Sequence, residues 1–272
     1  MNFSKQIIAS GSFDDLKSHD LRFLEEASKL GELTVCLAPD KAIQHATGKL
    51  PKFSLAERQY FLNAVRYVSR VVEADEFTGL DRLPKHLRAE IWADCEHTGN
   101  SARKQFAAEN KISYRVFTAD ELKGFPEPPP MSSAPGKKKV IATGCYDWFH
   151  SGHVRFTEEA SAYGDLYVCL GSDANVRLLK GEGHPLLPEH ERRYVVGSIK
   201  YVKQALITTG SGWVDADPEI RRLKPDIYIV NEDGDKGGKR EYCEKLGIQY
   251  LVLKRAPAAG LPKRSSTDLR GF

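Results

Sequence analysis

The sequence predicts an α/β protein made of two tandem, doubly wound parallel sheets. The first observation is an internal repeat: residues 11–40 and 144–173 align without a gap at an offset of 133, and 15 of the 30 aligned positions are identical. The second is that short β-branched apolar runs alternate with amphipathic stretches at helical spacing, which is typical of parallel βαβ units. The length of 272 residues suits two domains of ordinary size.

The second half shows the predicted elements in order. Residues 139–143 form a β-branched apolar run that ends at Gly144, which is typical of a buried strand. Residues 151–163 carry apolar side chains at helical spacing and precede Gly164, a helix stop signal. The other predicted elements are strands at 165–170, 205–208, 226–230 and 249–253 and helices at 188–201, 218–223 and 239–246. Ligands bind at the C-terminal ends of strands in such sheets, so the loop after the first strand is the candidate site.

The repeat also predicts the domain boundaries. We expect a first domain at 1–124, a Pro- and Ser-rich linker at 125–138, and a second domain at 139–272. The three lysines at 137–139 are interpreted as a solvated linker end, not as a basic patch.

Composition excludes several classes of protein. The 40 Lys and Arg residues are balanced by 37 Asp and Glu residues, so the net charge of +3 does not indicate a nucleic-acid partner. No stretch approaches the roughly 20 consecutive apolar residues of a membrane helix, and the N-terminus lacks the apolar core of a signal peptide. The five cysteines include no C-x-x-C pair, which does not suggest a disulfide framework or a zinc site. We therefore expect a soluble, cytoplasmic protein.

The loop after the first strand of the second half contains two histidines at the predicted start of a helix. Gly144 allows a sharp turn and a close approach of a ligand to the backbone. His150 and His153 are three residues apart with Gly152 between them, so their rings fall on nearly one helix face. Together with the free N–H groups of the helix start, they predict a pocket for an anion such as a phosphate. A metal pair is the alternative, but no third ligand follows at a characteristic spacing.

The loop sequence G-C-Y-D-W-F-H-S-G-H, residues 144–153, resembles the G-x-F-D-x-x-H-x-G-H signature of the cytidylyltransferase-like nucleotidyltransferase superfamily. Three further motifs follow in the order found in that family: Lys180-Gly181-Glu182-Gly183, Glu191-Arg192, and Arg264-Ser265-Ser266-Thr267. The resemblance covers residues 139–272 and implies two Rossmann-like domains, because the first half repeats the second.

The resemblance implies a role for each matching residue. The implied catalytic residues are His150, His153, Lys180 and Arg192, and the implied nucleotide-binding residues are Gly144, Cys145, Tyr146, Asp147, His150, Gly152, His153, Arg255, Arg264, Ser265, Ser266 and Thr267. Mg²⁺ is expected as a cofactor bound through the nucleotide phosphates, with Asp147 as the one candidate protein ligand. Cys145 is interpreted as a space-filling residue in preference to a reactive thiol.

The implied reaction transfers a nucleoside monophosphate to a small phosphorylated acceptor and releases pyrophosphate. CMP transfer from CTP is favoured, and an ATP-dependent adenylyltransferase of the heptose-phosphate kind is the main alternative, because residues 173–185 resemble that branch. A non-catalytic nucleotide-binding regulator is the third hypothesis.

The first repeat lacks the residues that would carry this chemistry. Lys17 and Asp20 stand at the positions of His150 and His153, and His19 replaces Gly152. An acid at such a position repels phosphate. We therefore expect the first domain to be non-catalytic and to form an intramolecular pseudo-dimer with the second, with further homodimerisation as an open question.

Overall fold

The computed structural model describes residues 4–75, 80–127, 136–266 and 269. The chain divides into two compact units, residues 1–124 and 125–272. Phe125 packs on the second unit, where its ring stacks on Tyr194 with centroids 5.4 Å apart, and its carbonyl accepts a hydrogen bond from Arg193 at 3.1 Å. Most of the Pro-rich segment, 128–135, lies outside the described residues.

The first unit contains a five-stranded sheet in which every strand pair is parallel. Its strand order is β3-β2-β1-β4-β5. Its elements are β1 (Gln6–Gly11), α1 (Ser18–Ser28), β2 (Glu32–Leu37), α2 (Asp40–Thr47), α3 (Leu55–Ala64), β3 (Arg70–Glu73), β4 (Ile91–Cys95), α4 (Ser101–Glu109) and β5 (Ser113–Phe117).

The second unit repeats this topology. Its strand order, β8-β7-β6-β9-β10, is again parallel throughout and places the first strand of the unit at the centre. Its elements are β6 (Lys139–Gly144), α5 (Ser151–Ser161), β7 (Asp165–Leu170), α6 (Asp173–Lys180), α7 (Glu189–Gly197), β8 (Val202–Ile207), α8 (Asp217–Leu223), β9 (Ile227–Asn231), α9 (Lys239–Leu246) and β10 (Gln249–Leu253), with 3-10 turns at Gly212–Val214 and Glu232–Gly234. The predicted α/β class with two parallel sheets is confirmed.

The central strands are buried on both faces, which explains their continuous apolar runs. In the second unit Ile141 and Cys169 pack with Ile220 and Cys243 between the sheet and its helices. The thiol of Cys36, the counterpart of Cys169 in the repeat, is also buried, and burial raises its pKa to about 11. All five cysteines are free.

A glycine that both repeats keep marks the turn from the first helix into the second strand. A Cβ atom on Gly31 would lie 2.2 Å from the carbonyl oxygen of Lys5, and one on Gly164 would lie 2.2 Å from that of Lys138. Because both contacts are with backbone, no other residue fits without shifting the strand.

Two segments of the second unit differ from the sequence prediction. The helix predicted at 188–201 ends earlier, and the strand predicted at 205–208 begins at Val202, with a register shift beside Leu166 and Tyr167. Helix α6 was not predicted. The side chains of Leu178 and Leu179 near the end of α6 are 65% and 46% exposed. The spacing of apolar residues along α6 therefore does not indicate a buried helix face. No helix among the described residues is long and apolar enough to cross a membrane.

Candidate active site

A cavity of about 390 Å³ opens at the C-terminal ends of β6 and β9. It brings together eight residues that the sequence analysis singled out: Gly144, Cys145, Tyr146, His150, Gly152, His153, Lys180 and Arg255. The other lining residues are Thr143, Phe156, Val230, Asn231, Asp233, Gly234 and Lys239. The position agrees with the rule that ligands of parallel sheets bind at strand C-termini.

The two histidines cap helix α5. His150 is the N-cap residue, and its Nδ1 accepts a hydrogen bond from the backbone N–H of Gly152 at 3.1 Å. The backbone N–H of His150 in turn points to Nδ1 of His153 at 3.4 Å. Since Nδ1 of each ring accepts, the neutral imidazole carries its proton on Nε2. Both rings can therefore present an N–H donor, and they stack with centroids 4.0 Å apart.

The surroundings of His153 favour the neutral form of its ring. Burial lowers its pKa well below the usual value of 6.5, and the nearby charges of His150, Arg255 and Lys180 lower it further. Its ring stacks on Phe149 at a centroid distance of 5.2 Å. A neutral ring held in this way can donate a hydrogen bond to a phosphate oxygen without a change of protonation.

Two glycines make room for this arrangement. A Cβ atom on Gly152 would lie 2.9 Å from the His150 ring, and one on Gly144 would lie 2.8 Å from the ring of Tyr146. Tyr146 itself has a φ of +53°, in the left-handed region that disfavours side chains. The tight spacing explains why glycine accompanies the capping histidine.

The carboxylate of Asp147 binds backbone outside the cavity lining. Its Oδ1 accepts hydrogen bonds from the N–H groups of Leu186 at 2.7 Å and Leu187 at 3.0 Å. The side chain is 95% buried. Asp147 thus ties the loop after α6 to the start of α5, and this geometry supports an orienting role.

Arg192, one of the predicted catalytic residues, lies beneath the cavity and not in its lining. Its guanidinium is fully buried and does not line the cavity. Its hydrogen bonds run to the carbonyls of Leu187 (2.9 Å), Cys145 (2.7 Å) and Gly171 (2.8 Å) and to Asp173 (2.7 Å). Arg192 therefore holds three loops together beneath the site.

The C-terminal motif returns to the start of α5 through backbone contacts. The hydroxyl of Ser266 donates to the carbonyl of Trp148 at 3.1 Å. Nη2 of Arg255 donates to the carbonyl of Arg264 at 3.0 Å, and Arg264 lines a small cleft beside the cavity together with Gly152. Ser265 precedes Ser266 in this segment, and Thr267 lies outside the described residues.

Cationic side chains line the cavity, and one of them, Lys239, is not among the residues predicted from the sequence motifs. Lys180 ends α6 and is exposed at the rim, whereas Arg255 forms an ion pair with Asp233. Lys239 was not predicted, although it opens the helix that follows β9. Local spacing could not have identified it, because only the folded sheet shows that β9 is adjacent to β6 and that the residues after both strands meet at one edge.

Within the described residues, no group of three or more His, Cys, Asp or Glu side chains is placed to hold a metal ion. Asp233 faces the cavity but pairs with Arg255.

The first unit has a corresponding cavity of about 290 Å³. It is lined by Ser10, Gly11, Ser12, Phe13, Asp14, Asp15, Lys17, His19, Asp20, Phe23, Cys95 and Thr98. Nζ of Lys17 lies 2.9 Å from the carboxylate of Asp15, and Asp20 accepts a hydrogen bond from the backbone N–H of Lys17 at 2.8 Å. Lys17 and Asp20, which stand at the positions of the two histidines, therefore bind Asp15 and the backbone of the same loop.

Comparison with known proteins identifies the family. Residues 141–272 match the family model described as Cytidylyltransferase-like. The FAD synthase of Ferroglobus placidus is 38% identical over 120 residues, which cover 43% of this chain and 75% of that protein. The chain belongs to the cytidylyltransferase-like family. It is a nucleotidyltransferase.

Two further relatives extend the comparison. The FAD synthase of Methanospirillum hungatei is 33% identical over 134 residues, covering 48% of this chain and 82% of that protein. The bifunctional protein HldE of Geobacter metallireducens is 36% identical over 123 residues, covering 44% of this chain but only 23% of that protein. The matches thus span less than half of this nucleotidyltransferase, and less than a quarter of that HldE protein.

Proposed function

We propose that the second unit transfers AMP from ATP to the phosphate of a small phosphorylated acceptor and releases pyrophosphate. The observation that carries this proposal is the convergence on one cavity of His150, His153, Lys180 and Arg255 at the start of α5. Such a set of N–H donors and cations suits the negative charge that develops on phosphate oxygens during transfer.

The residues supply positioning and charge stabilisation, and no strong base is needed. A phosphate monoester has a second pKa near 6, so its oxygen is already largely ionised at neutral pH. That oxygen attacks the α-phosphorus, the bond from the α-phosphorus to the bridging oxygen breaks, and pyrophosphate leaves with the electron pair. The Nε2–H groups of His150 and His153 would donate to the phosphate oxygens, while Lys180 and Arg255 would neutralise charge.

The C-terminal segment would bind the departing end of the triphosphate. Arg264, Ser265 and Ser266 lie next to the start of α5 through the contacts of Arg255 and Trp148. Hydroxyl and backbone N–H groups there would hold the β- and γ-phosphates, and Thr267 is assigned to the same role by the sequence motif alone. Mg²⁺ carried by the triphosphate would add positive charge on the leaving pyrophosphate.

The names of two relatives support ATP, in preference to CTP, as the nucleotide substrate. The sequence motifs favour CMP transfer, but the relatives from Ferroglobus placidus and Methanospirillum hungatei are named as FAD synthases, and FAD contains an AMP group. CTP remains the second candidate, because the matching family model is described as cytidylyltransferase-like.

A pyrophosphate-release assay tests the proposal. ATP and CTP are each combined with phosphorylated sugars, polyols, amines and a flavin phosphate. We expect turnover with ATP and one acceptor class. Turnover with CTP alone would support CMP transfer, and tight nucleotide binding without turnover for every pair would support the non-catalytic regulator instead.

The first unit has a supporting role in this proposal. Lys17 and Asp20 at the histidine positions support a non-catalytic domain, and the duplication supports an intramolecular pseudo-dimer. Native mass measurement would show whether the chain is monomeric or forms a further homodimer.

A further inference from the structure

Lys239 is a cation in the cavity whose role the sequence motifs do not assign. It is the first residue of α9, it is half-buried, and it lines the cavity together with Lys180 and Arg255. Its Nζ donates a hydrogen bond to the carbonyl oxygen of Gly234 at 3.1 Å. Among the described side chains, no carboxylate lies within ion-pair distance of this ammonium group, in contrast to Arg255 and its partner Asp233.

In the first unit the residue that corresponds to Lys239 has a structural role. Ile7 of β1 pairs with Ile91, and Val140 of β6 pairs with Ile227, so the two units are related by an offset of 136 in this region and Arg103 corresponds to Lys239.

Arg103 is neutralised within the first unit. Its Nη1 lies 2.7 Å from the carboxylate of Asp94, which is 1% exposed and also accepts a hydrogen bond from Tyr114 at 2.9 Å. In the second unit Val230 stands where Asp94 does. The cation is therefore kept while an apolar side chain replaces the buried carboxylate that pairs with it in the first unit. The carboxylates that act on Lys239, those of Asp215 and Asp235, do so without a direct ion pair, which leaves the ammonium group able to bind a phosphate oxygen.

The two lysines flank the central strand. Lys180 ends the helix after β7, and Lys239 begins the helix after β9, while β7 and β9 are the neighbours of β6 on either side. The reaction joins two phosphate groups, so the acceptor phosphate needs cations apart from those that hold the triphosphate.

The rim near Lys239 suits an organic acceptor. Trp213 is 61% exposed, and a Cβ atom on Gly237 would lie 3.3 Å from its ring, so the indole packs on the backbone just before α9. An exposed aromatic face offers apolar contact to the organic part of a substrate. Gly237, which contacts this ring, is two residues before Lys239 in the chain.

We propose that Lys239 binds the phosphate group of the acceptor, a phosphate monoester, and holds it next to the α-phosphate of the nucleotide. The inference rests on the proposed transfer reaction and adds to it the residue that recognises the second substrate.

The test compares Lys239→Met with Lys239→Arg and with Lys245→Met, a matched loss of charge in the last turn of the same helix. We expect Lys239→Met to raise the KM of the acceptor about 10-fold or more, since a charge-assisted hydrogen bond is lost, and to leave the KM of the nucleotide nearly unchanged. Lys239→Arg should recover part of the effect, and Lys245→Met should behave as wild type. An equal rise in the KM of the nucleotide, or an unchanged KM of the acceptor, would overturn the inference.

A binding measurement separates this inference from the proposed function. Inorganic phosphate is titrated by NMR into the full chain saturated with a non-hydrolysable ATP analogue, and thermal melting confirms that each variant is folded. We expect wild type and Lys245→Met to bind phosphate alike, and Lys239→Met to bind it at least about 10-fold more weakly. Equal binding by wild type and Lys239→Met would contradict the role of Lys239. Lysine-dependent phosphate binding without turnover of any substrate pair would contradict the proposed function alone.

Discussion

The loops that follow the first strand of each unit share their internal bonds but differ in the groups that they present to a ligand. Asp14 accepts hydrogen bonds from the N–H groups of Lys52 (2.7 Å) and Phe53 (2.9 Å), as Asp147 does from the loop after α6. Arg58 bonds to the carbonyls of Phe53 (3.0 Å), Ser12 (2.6 Å) and Ala38 (2.9 Å) and to Asp40 (2.6 Å), which repeats the pattern of Arg192.

The starts of helices α1 and α5 share one capping bond but differ in the side chain that accepts it. In the first unit the backbone N–H of Lys17 donates to Asp20, and in the second that of His150 donates to His153. The N-terminal capping bond is thus present in both, although a carboxylate acceptor replaces an imidazole that can also donate. Stability and ligand chemistry therefore depend on different atoms of the same loop, and the duplicated unit is an internal control for each role.

The largest expected effect is on turnover. His153→Ala should lower kcat by on the order of 10²–10³, because a donor to the developing negative charge is lost, and the second unit should stay folded. Pyrophosphate release and circular dichroism measure the two outcomes.

Asp20→Ala is the matched control in the first unit and should leave kcat close to that of wild type. Unimpaired pyrophosphate release by His153→Ala, or a comparable loss in Asp20→Ala, would remove the distinction between the two loops.

The next effect is on stability. Arg192→Met should destabilise the second unit by about 3 kcal/mol, because several buried carbonyl oxygens lose a charged donor. Arg58→Met should destabilise the first unit by a similar amount. Thermal melting followed by calorimetry measures both changes. If Arg192→Met kept its melting temperature and lost turnover, a direct role of the guanidinium in the reaction would be restored.

A smaller effect is expected in the pH dependence of the free energy of unfolding. Because burial holds the pKa of His153 well below 6.5, the unfolded chain binds a proton at this residue that the folded chain does not as the pH falls below about 6.5. The free energy of unfolding should therefore decrease below that pH. Denaturant titrations from pH 8 to pH 5 measure the slope. His153→Ala should show a shallower decrease, and an identical slope would mean that His153 titrates normally.

The smallest effect is expected at Cys145. Its carbonyl oxygen accepts the bond from Arg192, and in the first unit the carbonyl of Ser12 accepts the same bond from Arg58. Cys145→Ser should therefore change kcat by less than about twofold, which corresponds to under ~0.5 kcal/mol. A large loss in steady-state turnover would indicate that the thiol takes part in the reaction.

Residues that meet within one turn of helix were predictable, and residues that meet across the sheet were not. The spacing of His150 and His153 suffices to stack their rings, because both lie at one helix start. Arg192 shows the opposite case: it is 47 positions from Cys145, whose carbonyl it binds. The motif alone placed it near the phosphates, and only the packed loops show that the guanidinium binds backbone carbonyls and does not line the cavity.

By itself, the sequence determined the duplication, the parallel α/β class and the loop that carries the chemistry, because these follow from periodicity and local spacing. The tertiary structure decided which charged side chains bind backbone and which face the cavity. Asp147 and Arg192 are buried because they bind N–H and carbonyl groups that come together only in the folded chain. Lys239 lines the cavity beside Val230, which stands where the first unit has the buried carboxylate that pairs with Arg103. The physical reason is that burial requires each polar group to find partners, and those partners come from strand ends far apart in the chain.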